Sequence, residues 1–349
     1  LLAMEVTVAM LSLIIVFMLI YLVRRRRWEK KLKEWEQQLA VILQRTIYFE
    51  PPENSSPVIP LTFRTIRLLK KNAFRQLLID QMLQAKKAFT GTAADNLVTL
   101  FHQLHLDKLS LQKLLSRKWH LKARGIQELS IMHQQQHTVK IYRLTNAQHE
   151  LVRMEAQSAI VQLYGFEGLR FLDIIDRPLS EWQQIKLLRL LSRTPGVLPA
   201  KAARWLASPN DSVQVFALKL VAEHQQQHLH QQVTACLDHP HPTVRLQAIR
   251  CLRDIYTDDT PAVLEKAYPV QPISCKLAIL EALAHIGSDS NGTFLTRQLL
   301  HPDNTLKLAA ARALVITGEK GLQYLDEFPL ADTYPLNEII QQAKTEQIV

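Results

Sequence analysis

The chain has 349 residues, of which 47% are apolar and 21% charged, and its formal net charge is +10. Nine Gly is well below the usual share of about 7%, which argues against phosphate-cradling loops, collagen-like tracts and Gly/Ser linkers. Cys236, Cys251 and Cys275 form no C-x-x-C and leave an odd thiol, which fits a reducing compartment better than a disulfide framework.

The positive charge is concentrated near the N-terminus. Residues 24–146 carry 23 Lys and Arg against 9 Asp and Glu, whereas residues 147–349 carry 19 against 22. Val6 to Val23 is an apolar stretch broken only by Thr7 and Ser12. As a helix it would cover about 27 Å at ~1.5 Å per residue, close to the ~30 Å thickness of a bilayer core. Arg24, Arg25, Arg26 and Arg27 follow at once, then Lys30, Lys31 and Lys33. A cleaved leader would carry its charges before the apolar core, not after it. Residues 1–23 are therefore expected to be a transmembrane anchor in the lipid bilayer. The seven basic residues would set its topology and touch the membrane surface, with the N-terminus outside and the bulk of the chain cytoplasmic. The corresponding localisation is a single-pass protein of the inner membrane.

Residues 24–49 read as a basic juxtamembrane stalk. Trp28, Leu32, Trp35, Leu39 and Ile42 keep a 4-3-4-3 spacing, and Glu29 and Lys33 stand four apart as an ion pair on one helix. The seam suggests packing on the membrane surface, packing on the following domain, or a homodimer through the stalk. Residues 50–60 hold four Pro and no periodicity, a linker that ends the helix. Residues 61–115 are helical in pattern and read as an N-terminal cap or divergent repeats.

From residue 116 to 332 a repeat emerges. A polar or basic residue is followed by small or apolar ones at +3 and +7, anchored at Lys122, Arg153, Gln184, Gln214, Arg245, Lys276 and Lys307. The separations are 31, 31, 30, 31, 31 and 31 residues, so about seven units share one period. Gly165, Gly196, Gly287 and Gly318 fall at +11 or +12, where a left-handed helix stop is wanted. Prolines such as Pro178, Pro209, Pro240 and Pro302 separate the units, and Asp211, Thr243 and Thr305 are placed to cap the next helix. Each unit is thus helix, Gly turn, shorter helix, Pro turn, and neither helix buries its apolar stripe unless the units stack. Residues 333–349 would cap the far end.

The segments HPHPTVRLQAIRCL (239–252), HPDNTLKLAAARALVITG (301–318) and LVRMEAQSAIVQLYG (151–165) resemble HEAT repeats of the short bacterial kind, similar to the HEAT-like repeats of phycobilisome lyases. The resemblance implies a HEAT-type α-solenoid, so the chain as a whole is expected to be all-α, an N-terminal transmembrane helix followed by a solenoid of about seven 31-residue helical-hairpin repeats. It also implies that the second helix of each unit lines a concave face, exposing Arg170, Arg204 and Arg297 as a partner surface. The pattern departs from the family at Gln184 and Gln214, where a basic residue is usual, so an interrupted polar ladder is expected there.

Motifs for chemistry are sparse. Glu223, His224, His228 and His230 could offer metal ligands, but no HExxH is present and the tract falls at a turn. A single His-Glu dipeptide, His149-Glu150, is too little for the di-iron hydroxylases of HEAT type. No GxSxG, Walker A or GxGxxG occurs. The three Cys, and Trp119, Trp182 and Trp205, read as core residues. Arg64, Arg67, Lys70, Lys71 and Arg75 form a basic run of the kind that holds nucleic acid, but an anionic membrane beside it offers a simpler counter-charge. The expected role is therefore non-enzymatic, without metal or cofactor. The chain would be a membrane-tethered scaffold for protein partners at the cytoplasmic face, as an accessory subunit in envelope or polysaccharide synthesis or in secretion. The alternatives are an enzyme or metal-binding subunit with a site in the solenoid groove, and nucleic-acid binding through the basic N-terminal half.

Overall fold

The computed structural model describes residues 2–50, 58–192, 198, 201–287, 291–331 and 333–346, without the side chains of residues 2–9, 11 and 12. Among the described residues the architecture is an all-α helical-repeat solenoid with no strand. The chain divides into two compact units, Leu1–Leu163 and Tyr164–Val349.

The first unit opens with α1 (Leu2–Ile47). The expected anchor, and with it the single-pass inner-membrane placement, does not stand. Among the described residues no helix is long and apolar enough to cross a membrane. The apolar run with described side chains, Leu13 to Val23, gives only about 16 Å of helix at ~1.5 Å per residue before Arg24 begins. Residues 1–9, 11 and 12 of the expected span lie outside the described side chains. Without a span, the topological role of Arg24, Arg25, Arg26, Arg27, Lys30, Lys31 and Lys33 loses its premise.

The later turns of α1 are core, for a reason visible in the 4-3-4-3 spacing. Trp35, Leu39 and Ile42 are buried against α3 (Asn72–Ala88) and α4 (Thr92–Gln103) in a cluster with Phe74, Leu78 and Phe101. Trp35 meets Phe74 edge to face at 5.5 Å between ring centroids. The Lys31 and Lys71 ammonium groups lie 4.9 and 5.8 Å from the Trp35 ring centroid. The C-terminal part of the seam thus packs on the helices that follow, while Trp28 stays 49% exposed.

The flanks of the Pro-rich segment are tied to this core, while residues 51–57 lie outside the described residues. The Ile59 amide donates to Gln103 Oε1 and Gln103 Nε2 donates back to the Ile59 carbonyl, both at 2.9 Å. Asn96 Nδ2 donates to the Phe49 carbonyl at 2.7 Å. The short α2 (Phe63–Leu68) and α5 (Asp107–Leu114) complete the non-periodic part.

From there the repeat frame fixes each first helix. They are α6 (Trp119–Ile131) and α8 (Glu150–Tyr164), followed in the second unit by α9 (Glu181–Leu191), α11 (Asp211–Glu223), α13 (Pro242–Asp254), α15 (Ile273–Ile286) and α17 (Asn304–Ile316). Every anchor stands three residues after its helix begins. The +3 and +7 residues of all seven are buried, from Gly125 and Leu129 to Ala310 and Leu314. The second elements are shorter: α7 (Thr138–Tyr142), a 3-10 turn (Gly165–Asp173), α10 (Ala202–Trp205), α12 (His230–Ala235), α14 (Thr260–Ala267), α16 (Gly292–Gln298) and α18 (Glu319–Asp326). Within the second unit α11, α13, α15 and α17 pack each on the next, and α19 (Leu336–Glu346) packs on α17.

The helix stops follow backbone sterics. Gly165, Gly287 and Gly318 adopt φ of 57°, 68° and 86°, values open to glycine at little cost, while Gly196 lies outside the described residues. His133 and Gln225 take φ of 50° and 49° at the same place in two other repeats. The caps fall one residue before the expected Asp211 and two before the expected Thr243 and Thr305: Asn210, His241 and Asp303 accept from the amides of Ser212, Thr243 and Thr305.

Candidate interaction surface

The anchors hold the turns from which any surface must project. Arg153 Nη1 donates to the carbonyls of Ala147 and Gln148 at 2.8 and 3.2 Å. Gln184 Nε2 reaches the Leu179 carbonyl at 3.2 Å, and Gln214 Nε2 the Ser208 carbonyl at 2.8 Å. Glutamine thus does at 184 and 214 what arginine does at 153. An amide N–H satisfies a turn carbonyl as a guanidinium does.

Arg170, Arg204 and Arg297 stand on the second elements of three different repeats, in the 3-10 turn, α10 and α16, and all are exposed. Arg170 Nε donates to the Glu167 carbonyl at 3.2 Å. Burial raises the pKa of the Glu265 carboxyl, and the charge of Arg297 partly offsets this. No hydrogen bond or ion pair joins the three arginines to one another among the described residues, so they form a series and not a cluster. On α1, Arg25 pairs with Glu29 at 2.9 Å, taking the carboxylate that the spacing had offered to Lys33.

A groove in the second unit was not legible from the spacing. It encloses about 780 Å³ along the turns that precede α9, α11 and α13. Its walls are held by a relay: Asn210 Oδ1 accepts from Ser212 Oγ at 2.6 Å, and Ser212 Oγ accepts from the Leu179 amide at 2.8 Å. Lys219 Nζ fixes the Gln184 carbonyl oxygen at 2.8 Å. Four carboxylates line it, Asp173, Asp176, Glu181 and Asp211, around an apolar floor that includes Ile174 and Val215. No Lys or Arg is among the lining residues, and Arg177 flanks the groove without lining it. Asp173 is partly engaged, accepting from Trp205 Nε1 at 2.8 Å.

Beside the groove, Trp182 is 70% exposed and Ile185 on the same face of α9 is 53% exposed. Only Trp205 of the three tryptophans expected in the core is buried, at 2% exposure. Trp119, 45% exposed, stacks on His149 at 4.6 Å. The signal for Trp182 lay in the repeat frame itself. It stands two residues before its anchor, where other units place the exposed Thr243, Ser274 and Thr305 and the half-buried Ser212.

The groups considered for chemistry are dispersed. Burial pushes the thiols of Cys236, Cys251 and Cys275 up, so they stay protonated and pack as small apolar residues. His224 is the C-cap of α11 and His228 lies in the 3-10 turn beyond it, so no common helical face joins them. His224 packs edge-on against Phe166 at 5.0 Å, and His230 Nε2 lies 2.8 Å from Thr260 Oγ1. Among the described residues no group of three or more His, Cys, Asp or Glu is placed to hold a metal ion.

Residues 200–284 match the family model described as HEAT repeats. A search of curated proteins finds no match. Among solved structures, an engineered protein is 13% identical with a TM-score of 0.36, over 80% of this chain and 86% of its own. The complex of CpcE and CpcF of phycocyanin lyase from Nostoc sp. PCC7120 is 14% identical with a TM-score of 0.28, over 80% of this chain and 97% of that one. Human deoxyhypusine hydroxylase in complex with glycerol is 14% identical with a TM-score of 0.30, over 79% of this chain and 96% of that one. None of these likenesses bears on activity or partners.

Proposed function

We propose that this chain, with HEAT repeats over residues 200–284, is a non-catalytic helical scaffold that holds protein partners as an accessory subunit of a larger assembly. The observation that supports this reading is where the repeat frame leaves its chemistry. Anchors and caps hold the turns of the repeats, while Arg170, Arg204 and Arg297 remain exposed on the second elements of separate repeats. Such a series suits recognition along an extended partner better than reaction at one point. The basic residues of α1 and of the run Arg64 to Arg75 then face an acidic protein surface.

The test is crosslinking in cells that express the full chain, followed by mass spectrometry. Protein crosslinks are expected at Lys201 and Lys266, which are exposed on second elements next to this series. Capture should fall in the triple variant Arg170→Glu, Arg204→Glu, Arg297→Glu. Recovery of RNA or DNA with no protein partner, or of a bound metal lost on changing His224 and His228, would sink the scaffold reading.

A further inference from the structure

We propose that the acidic groove of the second unit is a docking site for an extended, arginine- or lysine-bearing segment of a partner protein, with an apolar side chain seated beside Trp182. This deepens the scaffold reading and rests on it only in taking the groove as a protein-binding face. It reverses the sign of partner that the overall charge suggests.

Charge complementarity selects the occupant. Asp173, Asp176, Glu181 and Asp211 converge on one groove whose lining holds a single imidazole, His241, and no Lys or Arg. Residues 147–349 carry 22 Asp and Glu against 19 Lys and Arg, and the groove gathers four of those carboxylates in one place, so it attracts cations. His239 Nε2 lies 3.9 Å from Asp211, too far to consume that carboxylate by a hydrogen bond.

Shape and apolar exposure add an independent reason. The walls come from turns of consecutive repeats, so the groove runs across the stack and admits an extended strand of side chains rather than one small molecule. Ile174 is 51% exposed among the lining residues, and Trp182, which follows the lining Glu181 in the chain, is 70% exposed. An exposed tryptophan next to an acidic residue, Glu181, suits a protein-binding surface, and its ring face favours a passing guanidinium. Small polar residues at the matching place in other repeats show that the frame does not require Trp there.

The probe is a fluorescein-labelled decapeptide of arginine and serine with a central leucine, titrated by anisotropy against the purified full chain. Versions with glutamine or glutamate in place of arginine serve as controls. The arginine peptide is expected to bind, more weakly as salt rises. Its affinity should drop by about tenfold or more in the triple variant Asp176→Asn, Glu181→Gln, Asp211→Asn, and by a smaller factor in Trp182→Ser. These positions are on the surface, and unchanged circular dichroism will show that the variants fold. The glutamine peptide should not bind, and any binding of the glutamate peptide should survive the groove substitutions. Absence of binding by the arginine peptide, or equal binding by the wild-type and groove variants, overturns the proposal. Either result leaves the scaffold reading intact, because that is judged on crosslinks to the second elements.

Discussion

At the scale of single residues, Glu128 shows how this fold handles a buried charge. Its side chain is wholly buried in α6 and accepts from Ser110 Oγ at 2.6 Å, Lys113 Nζ at 2.5 and 2.6 Å, and Arg124 Nε at 3.1 Å. Arg124 also forks onto Asp80 at 2.7 and 2.8 Å, so two acids and two bases close a neutral network across α3, α5 and α6. Burial already lowers the pKa of Lys113, against the pull of Glu128. Replacing one partner strands the other, so Glu128→Ala should cost about 3–5 kcal/mol in urea unfolding. The double change Glu128→Leu, Lys113→Met should recover most of that loss, since it removes both desolvated charges. Equal losses for the single and double variants would show that the network does more than neutralise itself. Nothing in the spacing marked Glu128 for this, because its partners at 76, 110 and 113 belong to other helices. His133 and Gln225 were hidden for a different reason: their left-handed backbone is a cost of about 1–3 kcal/mol that the surrounding turn enforces without a glycine to announce it.

At the scale of elements, contact between helices depends on small residues at set places. Gly125 occupies the +3 position of the first repeat, where the other units carry Ala, Leu or Ile. A Cβ there would lie 2.5 Å from the Leu114 amide nitrogen and 2.7 Å from the Ser110 carbonyl oxygen, both backbone atoms of α5. Gly125→Ala should therefore push α5 from α6 and cost about 1–3 kcal/mol, despite the better helix propensity of alanine. A variant as stable as the wild type in thermal unfolding would mean that α5 yields freely. The same scale explains α1. A 4-3-4-3 stripe states that one face is apolar but not what covers it, and α3 and α4 supply the cover. Trp182 is the converse case, since its place on the outer side of α9 follows from the repeat frame once the anchor is known.

At the scale of the whole molecule, a stacked array has exposed ends that must be closed. α19 covers one side of α17 in the second unit: Leu336, Ile339, Ile340 and Ala343 are buried, and Arg312 on α17 holds Glu346 in a two-pronged pair at 2.6 and 2.8 Å. Lys344 Nζ adds a bond to Asp326 at 2.7 Å. Truncation after Ala331 should uncover this apolar side of α17, so the shortened chain is expected to bind a hydrophobic dye and aggregate on concentration. A monodisperse truncated chain that binds no dye would show that α19 is dispensable. The 31-residue period, the buried +3 and +7 residues and the glycine stops were all legible in advance, because each is a relation between residues within about one helical hairpin. The groove, the Glu128 network and the cover over α1 were not. They arise where side chains about 15 to 60 positions apart meet, as Lys113 and Glu128 or Ile59 and Gln103 do, and local periodicity carries no information about such meetings. Local spacing dictates which face of each helix is buried, since burial periodicity is a property of the helix alone; the stacking of those helices decides which charged and aromatic residues share a surface, since that depends on distances no single helix contains.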